Sequence, residues 1–451
     1  MQNEQMLKEL SLHIVDGLKN RRKNMKFNRP YFKTGVKLID LVMGGEKGVY
    51  GNPAGRILNV VGDKSSGKTF VCNEIIANAH WTYGDKFKWM YADCEHGYSF
   101  DTQTLYGMDI CTEESDKPET VEQAFYRLWK FCDSLEEGEF GIYVIDSLDA
   151  LTSEEQDKRA EERISAMDKG KTLDKGTMGM GKQKYLSQEF FAQLCKKLEK
   201  YNVLLVIVSQ IRENVDPFSF EKYNRAGGKA MDFYCFMVIW LATAKKYEYE
   251  EGERKVVLGG TNKMKVTKGK VPRPYRECFY TYYFNYGIDN VETGVDYLFD
   301  CRTKTGDISA PAAACCAWEN DPDKTPMSPK GVADWLRENK WYEGKEGTYR
   351  SELQKVHPGE RFSLQTALEY IKSDPEKKEL FDKTFSLAMD RKSLIQYIRE
   401  NNLEDELDRR VEEKWEDFED KAAKQTPAVN GGKYSKFYAT QPMSTDTDVI
   451  I

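Results

Sequence analysis

Residues 62–69 read Gly62-Asp63-Lys64-Ser65-Ser66-Gly67-Lys68-Thr69, between the apolar run Ile57-Leu58-Asn59-Val60-Val61 and a helical pattern over 69–79. No other stretch constrains the fold as strongly, because such a loop works only where a strand delivers it and a helix N-terminus receives it. The glycines let the backbone wrap so closely that its N–H groups face the β- and γ-phosphates, Lys68 adds a point charge, and Thr69 offers a hydroxyl to Mg²⁺. The bare pattern should arise in roughly one or two of a hundred unrelated chains of this length, and the flanking strand and helix lower that further. The loop implies a nucleoside triphosphatase that contacts phosphate through all eight residues.

The chain has 451 residues, enough for one large core and a second, smaller unit. A net charge of −7 and a pI near 5.5 exclude a uniformly basic nucleic-acid coat but not a local basic groove. Ten cysteines never fall into a Cys-x-x-Cys pair and only four histidines accompany them, which argues against a zinc site or a disulfide framework. Scattered cysteines of this kind suit a reducing compartment. The first thirty residues lack the apolar core of a signal peptide, and the longest apolar run, 233–244, is too short for a bilayer and reads as a buried strand. The expectation is a cytoplasmic protein without a membrane partner.

Apolar runs at 57–61, 88–92, 142–145, 203–208 and 236–241 alternate with amphipathic stretches, the pattern of a mostly parallel sheet with crossover helices. The clearest crossover helix spans 188–201, with Phe190, Phe191, Leu194, Cys195 and Leu198 on one face. Beyond it, 247–258 and 263–271 read as hairpins and 278–285 as a strand. Helical periodicity then takes over, around 329–340, 362–373, 376–388, 391–400 and 403–422. The expected organisation is a helix and arm over 1–33, an α/β core over 34–290, a mainly α domain over 291–424 and a disordered tail over 425–451.

Hydrolysis needs a group to hold Mg²⁺ and a group to orient water. Tyr143-Val144-Ile145-Asp146-Ser147 is an apolar strand ending in a carboxylate that suits the first role, and Asp93-Cys94-Glu95-His96 ends the intervening strand with Glu95 as candidate general base. Gln210 closes the strand at 203–208, where an amide can distinguish a terminal phosphate from an empty site by hydrogen bonding.

These motifs, followed by Ser209-Gln210-Ile211-Arg212 and Ala226-Gly227-Gly228-Lys229-Ala230, resemble the RecA family in order and spacing over about residues 33–290, its phage-encoded UvsX-like members included. The resemblance implies a RecA-type P-loop core with a mostly parallel central sheet flanked by helices. It also implies a DNA-dependent ATPase that uses ATP and Mg²⁺, forms helical filaments of itself on single-stranded DNA, and pairs that strand with double-stranded DNA. By motif, Glu95 falls at the catalytic glutamate and Gln210 at the γ-phosphate sensor. Met178, in a Lys-, Gly- and Met-rich stretch over 168–184, takes the place of the side chain inserted between base triplets, with Lys182 and Lys184 as phosphate partners. Arg212, Gly227 and Gly228 match positions on the DNA backbone. Lys268 and Lys270 match lysines that reach a neighbouring subunit's ATP and stabilise transition-state charge. Single-strand-binding and mediator proteins are further partners the resemblance brings with it.

The chain departs from the family in three places. The position of the adenine-stacking tyrosine holds Thr102, leaving Tyr98, Phe100 or Tyr106 for that role. Asp232 replaces a basic interface residue beside a retained Phe233. The region after 300 is longer than the family's small C-terminal domain, and its acidic stretch at 404–420 has the composition to compete with DNA phosphates for the basic loops. Two other functions share the core: a hexameric DNA helicase or translocase, and an ATP-gated scaffold without catalysis.

Overall fold

A computed structural model describes residues 29–44, 47–112, 117–169, 185–213, 223–225, 228–309, 316–319, 321, 323–327, 329–339, 342–345, 348–351 and 364–426. The proposed N-terminal helix, the tail after 426, and most of the two basic stretches lie outside them. The chain divides into two compact units, one of residues 1–296 and 301–313, the other of 297–300 and 314–451.

The first unit is built on one large sheet. Its parallel half comprises β1 (Ile57–Gly62), β2 (Phe87–Asp93), β3 (Phe140–Asp146), β4 (Val203–Glu213) and the start of β5 (Met237–Glu251), in the spatial order β2-β3-β4-β1-β5. Val203 to Val208 are wholly buried, as are Ile142 to Ile145, so these strands are covered on both faces. Each such Val, Leu or Ile contributes roughly 1.5–3 kcal/mol by leaving water. The covering helices include α1 (Lys68–Tyr83), α2 (Val121–Ser134) and α3 (Phe191–Tyr201). Phe190, Phe191, Leu194 and Leu198 are buried against the sheet, and one π-helical turn, Leu186–Phe190, precedes α3 where sequence periodicity places ordinary helix from 188. Asn202 ends α3 in the left-handed conformation, φ 52°.

The antiparallel half corrects the expected hairpins. A single long hairpin joins β5 to β6 (Arg254–Gly269) across Gly252-Glu253, with Gly252 at φ 61°, and β7 (Glu277–Tyr283) and β8 (Gly287–Asp289) extend it. Gly259-Gly260, between the two stretches expected as hairpins, sits mid-strand. A Cβ on Gly259 would lie 2.1 Å from the Tyr282 carbonyl, and one on Gly260 2.3 Å from that of Lys245, so both glycines serve close backbone approach. The strand expected from 233 begins at Met237; Phe233 belongs to the preceding helix, Gly228–Tyr234, and is 71% exposed.

Arg302 locks this half. Its buried guanidinium pairs with Asp296 at 2.5 Å and donates to Thr261, Thr281, Tyr247 and the Gly306 carbonyl, tying β5, β6 and β7 to the chain that follows. The second unit holds the helices Pro329–Glu338, Leu364–Ser373, Pro375–Thr384, Arg391–Glu400 and Glu404–Ala423. The helix expected over 376–388 stops at Thr384, where Phe385–Ser386 and Ala388–Met389 form short strands.

Glu74, on α1, accepts hydrogen bonds from the Ile288 backbone N–H at 2.8 Å and the Tyr106 hydroxyl at 3.2 Å. Burial pushes its carboxyl up from 4.5 to about 7. An acid raised on folding binds more protons folded than unfolded, so its contribution is most favourable below about pH 4.5 and is lost as pH rises through 7. Glu74→Gln should therefore flatten the decline of stability between those limits, a difference on the order of 3 kcal/mol, read from urea midpoints across the range.

Candidate nucleotide site

The phosphate loop leaves β1 at Gly62 and enters α1 at Lys68. Its glycines are required by space: a Cβ on Gly62 would lie 2.2 Å from Ser66 Oγ, and one on Gly67, at φ 80°, would lie 2.8 Å from Asn262 Nδ2. Ser65 also adopts positive φ, 60°. Asn262, buried on β6, donates to the Ser66 carbonyl at 2.9 Å and so holds the loop from below. Asp63 Oδ1 accepts from the Lys64 N–H at 2.7 Å. Lys68 Nζ lies over the loop, 2.7 Å from the Asp63 carbonyl and 3.1 Å from that of Gly62. Burial lowers its pKa, opposed by the charges of Asp146, Glu95 and Asp63.

Strand register assembles the rest. In the ladders Gly62 stands opposite Gln210 and Asp93 opposite Asp146, so three strand ends meet at one edge beside Gln210, where β4, expected to close after 208, runs on to Glu213. Asp146 Oδ2 accepts from Thr69 Oγ1 at 3.0 Å and from the buried Tyr91 hydroxyl at 2.5 Å. Burial raises the Asp146 pKa, and the Tyr91 and Thr69 hydrogen bonds oppose the rise. Exposed Glu95 accepts on Oε1 from Ser147 Oγ at 2.6 Å and from Gln210 Nε2 at 2.8 Å, while the Gln210 backbone N–H donates to Asp149 Oδ2 at 2.8 Å. Thr69, Asp146, Glu95 and Gln210 thus converge around Lys68.

The remaining sequence candidates lie elsewhere. Lys268 stands opposite Val238, which itself faces Asn59, so along the sheet it is roughly 10 Å from the Gly62 end at about 3.3 Å per residue, and Lys270 is farther. Lys268 Nζ donates to the carbonyls of Asp232 and Phe233 at the end of their helix. Arg212 pairs in the β4 ladder with Asn224, and Gly228 opens the helix Gly228–Tyr234. Met178, Lys182, Lys184 and Gly227 lie outside the described residues.

Each proposed adenine-stacking ring is engaged close to α1: Tyr98 donates to Asn73 Oδ1 at 3.0 Å, Tyr106 to Glu74, and Phe100 packs edge-on to Phe70 at 5.2 Å. Thr102 is buried. Phe70 also packs against Tyr282 and half-exposed Phe284, giving an aromatic face one residue beyond Thr69. Sequence reading missed this face, Asn262, Tyr91, and the roles of Ser147 and Asp149; only the last two carry a local signal, their adjacency to Asp146.

A phosphate loop at the end of a central parallel strand, with a carboxylate at the end of the strand two places along the sheet, defines a P-loop nucleoside triphosphatase fold. The model of the RecA N-terminal domain matches residues 18–289, and the chain belongs to the RecA family. Protein RecA of Ruminococcus albus is 28% identical over 271 residues, 59% of this chain and 60% of that protein. Protein RecA of Mycoplasma mobile is 27% identical over 280 residues, 62% of this chain and 76% of its own length. No described helix is long and apolar enough to cross a membrane.

Gly62→Ala should abolish binding of a fluorescent ATP analogue while leaving the circular dichroism of the fold intact, because the added Cβ meets the Leu241 carbonyl at 3.0 Å and Ser66 Cβ at 3.2 Å, contacts that turning the Ser66 hydroxyl does not relieve. Wild-type affinity in that variant would contradict the tight packing described.

Proposed function

We propose that the protein is a DNA-dependent ATPase that assembles into helical filaments on single-stranded DNA and carries out homologous pairing and strand exchange. The observation that carries this reading is the 2.8 Å bond between Gln210 and Glu95. It links the candidate base to a strand that runs on through Arg212 toward the stretch read as DNA-binding, so one side chain can report the state of the nucleotide to the DNA.

ATP lies with its phosphates on the backbone N–H groups of 63–68 and against Lys68. Thr69 and Asp146, whose oxygens stand 3.0 Å apart, form a hard-oxygen pair that suits Mg²⁺, which when bound neutralises phosphate charge. Glu95 takes the proton of the attacking water through its unshared oxygen. Half-exposed Phe284 and partly exposed Phe100, backed by buried Phe70 and Tyr282, offer a stacking surface for the base.

Around the phosphates Asp63, Glu95 and Asp146 outnumber Lys68, so further positive charge is needed as the terminal phosphate leaves. Lys268 and Lys270 of a neighbouring copy supply it, which suits their position at the opposite end of the sheet and makes assembly a condition of turnover. Met178, Lys182, Lys184, Arg212, Gly227 and Gly228 contact single-stranded DNA, and double-stranded DNA is the second substrate. Single-strand-binding and mediator proteins share that DNA in the cytoplasm. A phage-type affiliation rests on the acidic, helical region after 300 alone.

Phosphate release should rise severalfold or more when single-stranded DNA is added. Glu95→Gln should lose roughly 10²–10⁴-fold in turnover while still binding a labelled oligonucleotide with ATP. A rate indifferent to DNA would overturn the reading.

A further inference from the structure

We propose that Ser147 is the positioning residue that keeps Glu95 aimed once Gln210 has turned to the terminal phosphate, so that sensing the nucleotide and holding the base fall to different donors. This deepens the reading of Glu95 as the base of ATP hydrolysis and rests on it.

Both donors meet the same atom: Ser147 Oγ at 2.6 Å and Gln210 Nε2 at 2.8 Å from Glu95 Oε1. Among the described residues Oε2 accepts from none. A carboxylate that is to take a proton from water needs this arrangement, one oxygen fixed and the other presented. The two donors differ in what they are free to do. Gln210 carries its amide on an exposed, flexible side chain, and its swing to a phosphate oxygen withdraws it from Glu95. Ser147 is wholly buried, and its short side chain cannot follow.

The backbone around Ser147 is pinned on both sides. The Cys94 N–H donates to the Asp146 carbonyl at 2.8 Å, the Leu148 N–H to that of Val208 at 3.0 Å, and the Ala150 N–H to that of Ser147 at 3.2 Å. The turn after β3 is therefore fixed to both neighbouring strands and carries its hydroxyl to a set point. A hydroxyl has one proton to give, and here Glu95 receives it in a short, charge-assisted bond. Without it, exposed Glu95 keeps only the donor that nucleotide recruitment removes.

The test uses the full chain with single-stranded DNA and Mg²⁺-ATP. Ser147→Ala should lower kcat about ten- to a hundredfold, the scale of a misplaced reacting group. Affinities for an uncleavable ATP analogue and for the oligonucleotide should stay within about twofold of the parent. In a Glu95→Gln background, single-turnover cleavage of labelled ATP should change less than about twofold on adding Ser147→Ala, since there is no longer a base to aim. Should Ser147→Ala fail to fold, Ser147→Cys, a weak donor of similar shape, carries the same comparison with a rate between parent and background. The proposal is overturned if kcat is unchanged, if analogue affinity falls along with it, or if the full loss recurs in the Glu95→Gln background. If Glu95→Gln alone leaves turnover intact, the reading of the base fails, a separate result.

Discussion

The structure depends on the register of its parallel strands. Hydrogen-bonded ladders set Gly62 beside Gln210 and Asp93 beside Asp146, so the phosphate loop, Asp146, Glu95 and Gln210 gather at one edge of the sheet. Because these strands are covered on both faces, sliding one by a single residue would exchange the side chains that its two faces present to the covering helices, and the cost of that mispacking helps to keep the edge aligned. Polar contacts inside the sheet add to the alignment. Asn59, buried mid-strand in β1, donates to the Ile207 carbonyl and Ser209 Oγ of β4 at 2.8 and 2.9 Å, joining the strand that feeds the phosphate loop to the strand that carries Gln210.

Where function is carried by residues close together in sequence, the chain was readable. Gly62 to Thr69, Asp146 and Glu95 sit at the ends of apolar runs, and a strand end is legible from alternation and length. Gln210 was found the same way, and the structure brings these residues together. What escaped is held by contacts distant in sequence. Asn262 lies some two hundred residues from the loop it supports, and nothing around it distinguishes it from an ordinary strand asparagine. Arg302 follows a helix and reads as a surface cation, yet it is buried against Asp296 and three strands. The single hairpin of β5 and β6, in place of separate ones at 247–258 and 263–271, was hidden for a different reason: glycines such as Gly259 and Gly260 serve turns and close backbone approach alike, and only the neighbouring strand decides which.

The electrostatics give the site its direction. A lysine lowered by burial and surrounded by three carboxylates cannot by itself balance a triphosphate. In the proposed function the balance comes from the nucleotide's metal and from a neighbouring copy. That requirement, together with lysines away from the phosphate loop on the same sheet, is why the proposed function couples nucleotide binding to assembly, with each copy completing the site of the next along the DNA.

Electron micrographs of the purified protein with single-stranded DNA and an uncleavable ATP analogue test this most directly. The account predicts continuous helical filaments that dissolve when ADP replaces the analogue. Closed rings on the DNA, or single particles with nucleotide, magnesium and DNA all in excess, would contradict it.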